Sequence, residues 1–147
     1  MPMSSHFHHL LVPVDFSDAD EPLLKVVLAM AASNQARVTL LHVIESLEAE
    51  EGEADEELDE FFAALESQAQ SRLDDISQRF RKGGLVVEQE IVFGHRAREI
   101  VRFSSAGNAD LVVLRAQRAD LADPHAAWST LGHQLTVLCQ CPVLLLK

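Results

Sequence analysis

The sequence contains few residues of the kinds on which disulfide-rich and phosphate-loop proteins depend. Its 147 residues include two cysteines, six glycines, one tryptophan and no tyrosine. Two cysteines are too few for a disulfide-stapled scaffold. The glycines form neither a GxxxxGK[ST] nor a GxGxxG motif, and the chain has no GxSxG. These absences exclude a P-loop, a dinucleotide fingerprint and a nucleophile elbow.

Basic residues are also scarce. Twelve Lys and Arg stand against 23 Asp and Glu, which gives a formal net charge of −11. This charge disfavours nucleic acid and anionic membrane as partners, because both are negative themselves. Residues 45–60 hold ten of the acids and no base. We interpret them as a solvated loop and the start of a helix, where acids suit the helix dipole. The alternative is an acidic docking site for a basic partner.

Long apolar runs are absent as well. No stretch approaches the ~20 apolar residues that cross a bilayer. The first residues lack the basic and apolar regions of a signal peptide. Because 48% of the residues are hydrophobic, the chain has enough apolar surface for a folded core. Residues 1–147 are therefore predicted to form a single cytoplasmic domain.

Five short apolar segments alternate with amphipathic ones. The alternation predicts an α/β fold with a single open five-stranded parallel sheet and helices on both faces. The first helix is expected to start near Ser17 or Asp18, and the second to end at Gly83 and Gly84. The predicted strands are 8–16, 36–44, 85–94, 109–114 and 141–147, and the two later helices are 95–107 and 127–140.

Asp15 is the most informative side chain at a strand end. In open α/β sheets, ligands bind beyond the carboxyl ends of the strands. A carboxylate there accepts hydrogen bonds from a ribose hydroxyl or a base amine, and the alternative role for Asp15 is to cap the first helix. His42 lies within an apolar strand, and we interpret it as a core histidine rather than a ligand or base.

The remaining candidate metal ligands favour structural roles. His6, His8 and His9 are interpreted as a frayed terminus and a strand residue rather than a metal site. Cys139 and Cys141 lack the second cysteine pair of a typical zinc site. The sequence assembles no nucleophile, base and oxyanion hole, so we expect no catalytic residues and no bound metal.

Five segments, taken in order, carry a family resemblance. They are HHLLVPVDFSD, ARVTLLHVI, VFGHRAREIV, ADLVVL and CQCPVLLLK, and they span almost the whole chain. Together they resemble the universal stress protein family. The resemblance implies a Rossmann-like, adenine nucleotide alpha hydrolase-like sheet with strand order 3-2-1-4-5. It also implies a homodimer through the last strand, residues 142–147, and in many members ATP between strands 1 and 4.

The resemblance divides the implied nucleotide cleft into two sides. On the base and ribose side, the positions that match the family's contacts are Pro13, Val14, Asp15 and Val43, with Leu114 where methionine is usual. On the phosphate side, residues other than glycine stand at the three glycine positions, which are Arg115, Arg118 and Ser129. Thr130 stands at the family's Ser/Thr position, and the connecting loop is one residue longer than the pattern.

Three hypotheses follow from this degenerate glycine motif. The leading one is a non-catalytic, dimeric stress-response protein that binds an unknown protein partner and no cofactor, because side chains occupy space that glycine leaves empty. The alternative is a signalling module that binds ATP or AMP through Asp15, Arg115 and Arg118, since arginine forks suit phosphate. The third is a slow nucleotide hydrolase.

Overall fold

The fold is a five-stranded parallel sheet with helices on both faces. A computed structural model describes residues 7–18, 20–46, 56–116 and 130–147. Within these ranges no helix is long and apolar enough to cross a membrane. The strands are β1 (His9–Pro13), β2 (Arg37–Glu45), β3 (Val87–Gly94), β4 (Leu111–Arg115) and β5 (Val143–Leu146). The described helices are α1 (Asp20–Asn34), α2 (Glu56–Lys82), α3 (Arg96–Ala106) and α4 (Leu131–Leu138).

The strand order is β3-β2-β1-β4-β5, which confirms the predicted order. β1 pairs with β2 along its whole length, from His9 to Pro13. It pairs with β4 at two positions, Leu10 and Leu11, near its amino end. The carboxyl ends of β1 and β4 are therefore not joined by ladder hydrogen bonds, and space is left between them.

The two faces of the sheet bury separate apolar clusters, as a parallel sheet requires. On one face α1 and α2 cover the sheet, and the fully buried side chains include Leu10, Val12, Leu23, Leu73 and Phe80. On the other face α3 and α4 cover it, with Leu11, Leu41, Val112, Ile100 and Leu135. The amino-terminal turns of α2 extend beyond this cover, so Leu58 and Phe61 are exposed.

Asp110 joins β1 to β4 at the amino edge of the sheet. Its carboxylate accepts hydrogen bonds from the backbone N–H groups of His8 (2.7 Å) and His9 (3.1 Å). The His9 ring is buried and lies 2.7 Å from the hydroxyl of Thr39. Since Arg37 donates to His9 Nδ1, the proton of the neutral ring lies on Nε2 and is donated to Thr39. His9 is thus a satisfied strand residue, as predicted, while His6 lies outside the described residues.

Two predicted boundaries were wrong for local reasons. β1 ends at Pro13 rather than at residue 16, because Phe16 has a positive φ of 65° that a strand does not tolerate. The described part of α1 begins at Asp20, two residues after the expected cap position Asp18, and residue 19 lies outside the described residues. α4 ends at Leu138, because Cys139 is already extended (φ −73°, ψ 140°).

Some predicted segments lie partly outside the described residues. For the acidic run 45–60, this applies to residues 47–55, and α2 begins immediately after them at Glu56. For the last predicted helix, it applies to residues 127–129.

The end of α2 follows the predicted glycine pair. Gly84 adopts a left-handed conformation with φ 79°, and the N–H of Leu85 donates to the carbonyl of Phe80 at 3.1 Å. This closes the helix in the manner of a Schellman turn. Gly83 does not have a positive φ, so the two glycines play different roles.

Replacing Gly84 with alanine is expected to lower the free energy of unfolding by about 1 kcal/mol, the order of the left-handed penalty for a residue with a Cβ. A Cβ there has open space around it, so backbone strain alone is tested. Urea denaturation measures the change. Gly83→Ala is the matched control, since its Cβ would make ordinary contact at 3.4 Å with the Phe80 carbonyl. Equal destabilisation by both substitutions would contradict the assignment.

Candidate functional site

A cleft opens at the carboxyl edge of the sheet, between β1 and β4. The chain leaves β1 for α1 on one face and leaves β4 towards α4 on the other, which is the topological switch point where α/β proteins bind ligands. The described lining residues are Pro13, Val14, Asp15, Asp20, Leu41, Val43, Arg96, Ile100, Leu114, Arg115 and Leu131.

Most of the described residues predicted for this site do line the cleft. Those brought together are Pro13, Val14, Asp15, Val43, Leu114 and Arg115. Thr130 is the N-cap of α4 and accepts a hydrogen bond from the backbone N–H of His133 at 3.2 Å. Arg118 and Ser129 lie outside the described residues.

The turn from β1 into α1 presents Asp15 to the cleft. Its Oδ1 accepts a hydrogen bond from the backbone N–H of Ser17 at 2.9 Å. This bond closes a local Asx turn before the helix begins. Asp15 therefore stabilises the turn rather than capping α1, and its exposed side chain lines the cleft.

Asp20, in the first turn of α1, holds the same turn from the helix side. It is 7% exposed. Its Oδ2 accepts hydrogen bonds from the backbone N–H groups of Asp15 (3.1 Å) and Phe16 (3.0 Å). These bonds offset the cost of the left-handed Phe16 backbone, which no glycine is present to relieve.

The pKa values of the two carboxyl groups shift in opposite directions. Burial and the charge of Asp15 raise the pKa of Asp20 to about 6, although its two N–H donors oppose the rise. Burial also acts to raise the pKa of Asp15. Hydrogen bonds from Ser17 and from the Asp20 carboxyl group, together with the positive charge of Arg96, outweigh it and hold the pKa of Asp15 below 3.8. One carboxyl group is thus poised to carry a proton that the other accepts as a hydrogen bond.

An aromatic stack supports the turn from beneath. The rings of Phe16 and His42 lie with centroids 4.4 Å apart, and the guanidinium group of Arg72 lies 5.7 Å from the Phe16 ring centroid. His42 Nδ1 donates to the carbonyl of Val14 at 2.8 Å. This bond and the contact with Phe16 tie the ring to the β1–α1 turn, which agrees with the interpretation of His42 as a structural histidine.

Two guanidinium groups supply positive charge to the cleft. Arg115 is exposed at the end of β4. Arg96 starts α3, and its Nε lies 4.0 Å from a carboxylate oxygen of Glu45. A contact this long at the surface contributes little. Within the described part of the chain, both guanidinium groups are therefore placed to bind an anion in the cleft.

Sequence reasoning missed five residues of the lining, which are Asp20, Leu41, Arg96, Ile100 and Leu131. An acid in the first turn of a helix is ordinary, so Asp20 carried no distinguishing signal. Gly94 ends β3 just before α3, and this glycine was the one signal that placed Arg96 near the edge of the sheet. The three missed leucine and isoleucine residues resemble any other apolar core position, so nothing in the sequence distinguished them.

The order of the strands, the cleft and the segment motifs agree with one known family. A sequence model of the universal stress protein family matches residues 6–147. The chain belongs to the universal stress protein family. The resemblance inferred from five short segments is thereby confirmed.

Comparison with known members shows the same architecture over nearly the whole length. Universal stress protein MJ0577 of Methanocaldococcus jannaschii is 26% identical over 126 residues, covering 76% of this chain and 78% of the relative. A solved structure of MJ0577 has 25% identity and a TM-score of 0.80, covering 97% of this chain and 96% of that one.

Two more distant structures share the fold. A universal stress protein in complex with cAMP has a TM-score of 0.73 and 15% identity, covering 97% of this chain and 98% of its own. A universal stress protein family protein from Arabidopsis thaliana with AMP bound has a TM-score of 0.68 and 18% identity. The match covers 95% of this chain and 91% of that one.

The cysteines of this universal stress protein lie away from the cleft. Cys139 and Cys141 are half-buried between α4 and β5. Burial raises the pKa of both thiols, which makes them weak nucleophiles at neutral pH. Across the described ranges no three His, Cys, Asp or Glu side chains come together as a metal site.

His42→Phe is expected to lower the free energy of unfolding by about 1 kcal/mol, because it keeps the ring against Phe16 but leaves the Val14 carbonyl without its donor. Thermal or urea denaturation at pH 7 measures the loss. His42→Ala removes the ring as well and should cost more. A Phe variant as stable as the wild type would contradict a structural role for the Nδ1 hydrogen bond.

Proposed function

We propose that this universal stress protein binds an adenine mononucleotide in the cleft between β1 and β4 and responds to it without catalysing a reaction. The observation that carries the proposal is the lining of the cleft. Carboxyl groups of Asp15 and Asp20 and guanidinium groups of Arg96 and Arg115 share one cavity with an apolar floor that includes Val43 and Ile100.

The chemistry of such a cavity suits a nucleotide. A carboxylate accepts hydrogen bonds from sugar hydroxyls or a base amine, and apolar side chains cover the faces of a base. Guanidinium groups bind phosphate as a fork. That universal stress proteins of the same fold have been crystallised with cAMP and AMP supports this reasoning.

A single phosphate group fits better than a triphosphate. Many family members wrap the phosphates with a glycine loop, and the resemblance implies that Arg115 and Arg118 stand at two of those glycine positions. A side chain at a glycine position leaves less room for backbone amides to surround three phosphates. The guanidinium group of Arg115, which lines the cleft, supplies charge for one phosphate.

A non-catalytic role follows from what the cleft offers. Its described lining contains no histidine, cysteine, serine or lysine. The lining holds two carboxyl groups that could act as a base. Hydrogen bonding holds the pKa of Asp15 below 3.8, so it takes up a proton poorly at neutral pH. Asp20 is buried, and its Oδ2 is engaged with the backbone N–H groups of Asp15 and Phe16. A slow nucleotide hydrolase is therefore the least supported of the three hypotheses.

The second candidate is a stress-response protein that binds a protein partner and no nucleotide. Its specific support is Arg115, which lines the cleft and stands, by the sequence resemblance, at a position where many family members have glycine. The two candidates differ in a directly measurable property, namely whether the purified protein binds AMP, cAMP or ATP.

Calorimetric titration with AMP, cAMP, ATP and adenosine tests the proposal. Arg115→Ala is expected to weaken AMP binding about tenfold or more, the scale of a hydrogen bond to a charged group, and adenosine binding much less. Arg81→Ala, at the exposed end of α2, is the matched control. Equal weakening for adenosine would show that Arg115 is not a phosphate ligand, and no binding of any nucleotide would favour the protein-partner function.

We further propose that two copies of the chain pair through residues 142–147. β5 is an edge strand. The carbonyls of Pro142 and Leu146 accept hydrogen bonds from β4, so the N–H groups of Val143 and Leu145 face away from the sheet. An apolar edge with free N–H groups needs cover, and a second copy provides it.

Val143→Pro removes one outward N–H without removing a bond to β4. If β5 edges pair, this variant should shift the protein towards monomer in sedimentation velocity, because proline cannot donate to a new ladder. Circular dichroism checks that the fold is kept. A folded variant with an unchanged oligomeric state would argue against pairing through this edge.

A further inference from the structure

Two carboxyl groups at the wall of the cleft are linked by more than proximity. Asp15 and Asp20 both line the cleft, and a hydrogen bond between their side chains contributes to the pKa shift of each group. Asp20 also accepts the backbone N–H of Asp15 at 3.1 Å, so the two residues are joined through both backbone and side chain. A hydrogen bond between two carboxyl groups requires one proton between them.

The surroundings assign that proton to Asp20. Asp15 is the more exposed group, and its Oδ1 accepts from Ser17 N–H. Asp20 is 7% exposed, and ionising it places a second negative charge beside Asp15 in a poorly solvated position. This ordering agrees with a pKa of about 6 for Asp20 and a lowered pKa for Asp15.

We propose that Asp15 and Asp20 form a proton-sharing carboxyl pair that makes ligand binding in the cleft depend on pH, with loss of the shared proton weakening the binding of an anionic ligand. The coupling rests on the proposed nucleotide function, whereas the shared proton does not. Asp20 acts here as a positioning residue: it holds the turn that presents Asp15, and it sets the charge of the cleft wall.

Charged groups from each neighbouring element bear on the pair. α3 contributes Arg96, which is paired loosely with Glu45 of β2, and β4 contributes Arg115. α2 contributes Arg72, whose Nη1 donates to the Phe16 carbonyl at 3.1 Å. The remaining neighbours are Asp18, Glu21 with its partner Arg79, and His42, which is engaged with the Val14 carbonyl.

The sign of the pH effect follows from the proton count. Between pH 4 and 6, folded Asp20 keeps a proton that the unfolded chain, with an ordinary pKa of 3.8, has lost. Stability therefore falls as pH rises through this window. Above this pH range the pair carries two negative charges instead of one. The added charge partly cancels the positive charge of Arg96 and Arg115, which would hold a phosphate.

Asp20→Asn is the informative variant. The asparagine oxygen accepts the two backbone N–H groups and its amide donates to Asp15, so the variant reproduces the protonated pair at every pH. Asp18→Asn makes the same charge change at an exposed site two residues away and is the matched control.

The first measurement uses ligand-free protein. Carboxyl carbon NMR from pH 4 to 8 should show Asp20 titrating near pH 6 and Asp15 remaining ionised above pH 4. The urea-measured stability should fall between pH 4 and 6 in the wild type and in Asp18→Asn, and this fall should be reduced in Asp20→Asn. An Asp20 that titrates near 3.8 would overturn the shared proton.

The second measurement titrates cAMP at pH 5 and pH 8 at constant salt. A phosphodiester keeps one charge over this range, unlike a phosphate monoester, which itself titrates near pH 6. Wild type and Asp18→Asn should bind cAMP about fivefold more weakly at pH 8 than at pH 5, which is the scale of one added charge at the edge of a site. Asp20→Asn should bind cAMP equally well at both pH values. The same pH dependence in Asp20→Asn would overturn the coupling.

Absence of cAMP binding at both pH values would contradict the proposed function and the coupling together, and the NMR titration would still decide the shared proton.

Discussion

The central position of β1 in the sheet determines where the cleft at the carboxyl edge lies. β1 pairs with β2 along its length, but with β4 at two positions near its amino end. Since the chain then leaves β1 and β4 on opposite faces, the ends of these strands bound an open cleft. Asp110 holds β1 and β4 together at the opposite edge through the N–H groups of His8 and His9.

The turn after β1 is held by hydrogen bonds from its backbone to one buried carboxyl group. Phe16 has a left-handed backbone conformation although it is not glycine. The carboxyl group of Asp20 stabilises this conformation, because it accepts hydrogen bonds from the backbone N–H groups of Asp15 and Phe16. The ring of Phe16 then packs against His42 and under Arg72. One buried carboxyl group thus couples the backbone of the turn, the presentation of Asp15 and the charge of the cleft wall.

The order of elements and the helix-end glycines could be predicted from the sequence because they depend on local patterns. Apolar runs such as Leu111–Leu114 and the pair Gly83–Gly84 carry their signals within a few residues. The residues at the strand ends, Asp15 and Arg115, were found by the same local reasoning. The length of β1 was predicted wrongly, because the turn that follows the strand is held by bonds from the N–H groups of Asp15 and Phe16 to Asp20, five and four positions later.

The sequence by itself determined the family and the strand order expected of it, because both depend on short contiguous motifs. Only the tertiary structure decided that Asp20 and Arg96 share the cleft with Asp15 and Arg115. These side chains come from α1, α3, β4 and the β1–α1 turn, and their distances depend on how the helices pack on the sheet. The proton balance of Asp15 and Asp20 depends on the same packing, since burial and neighbouring charge arise only when the elements meet.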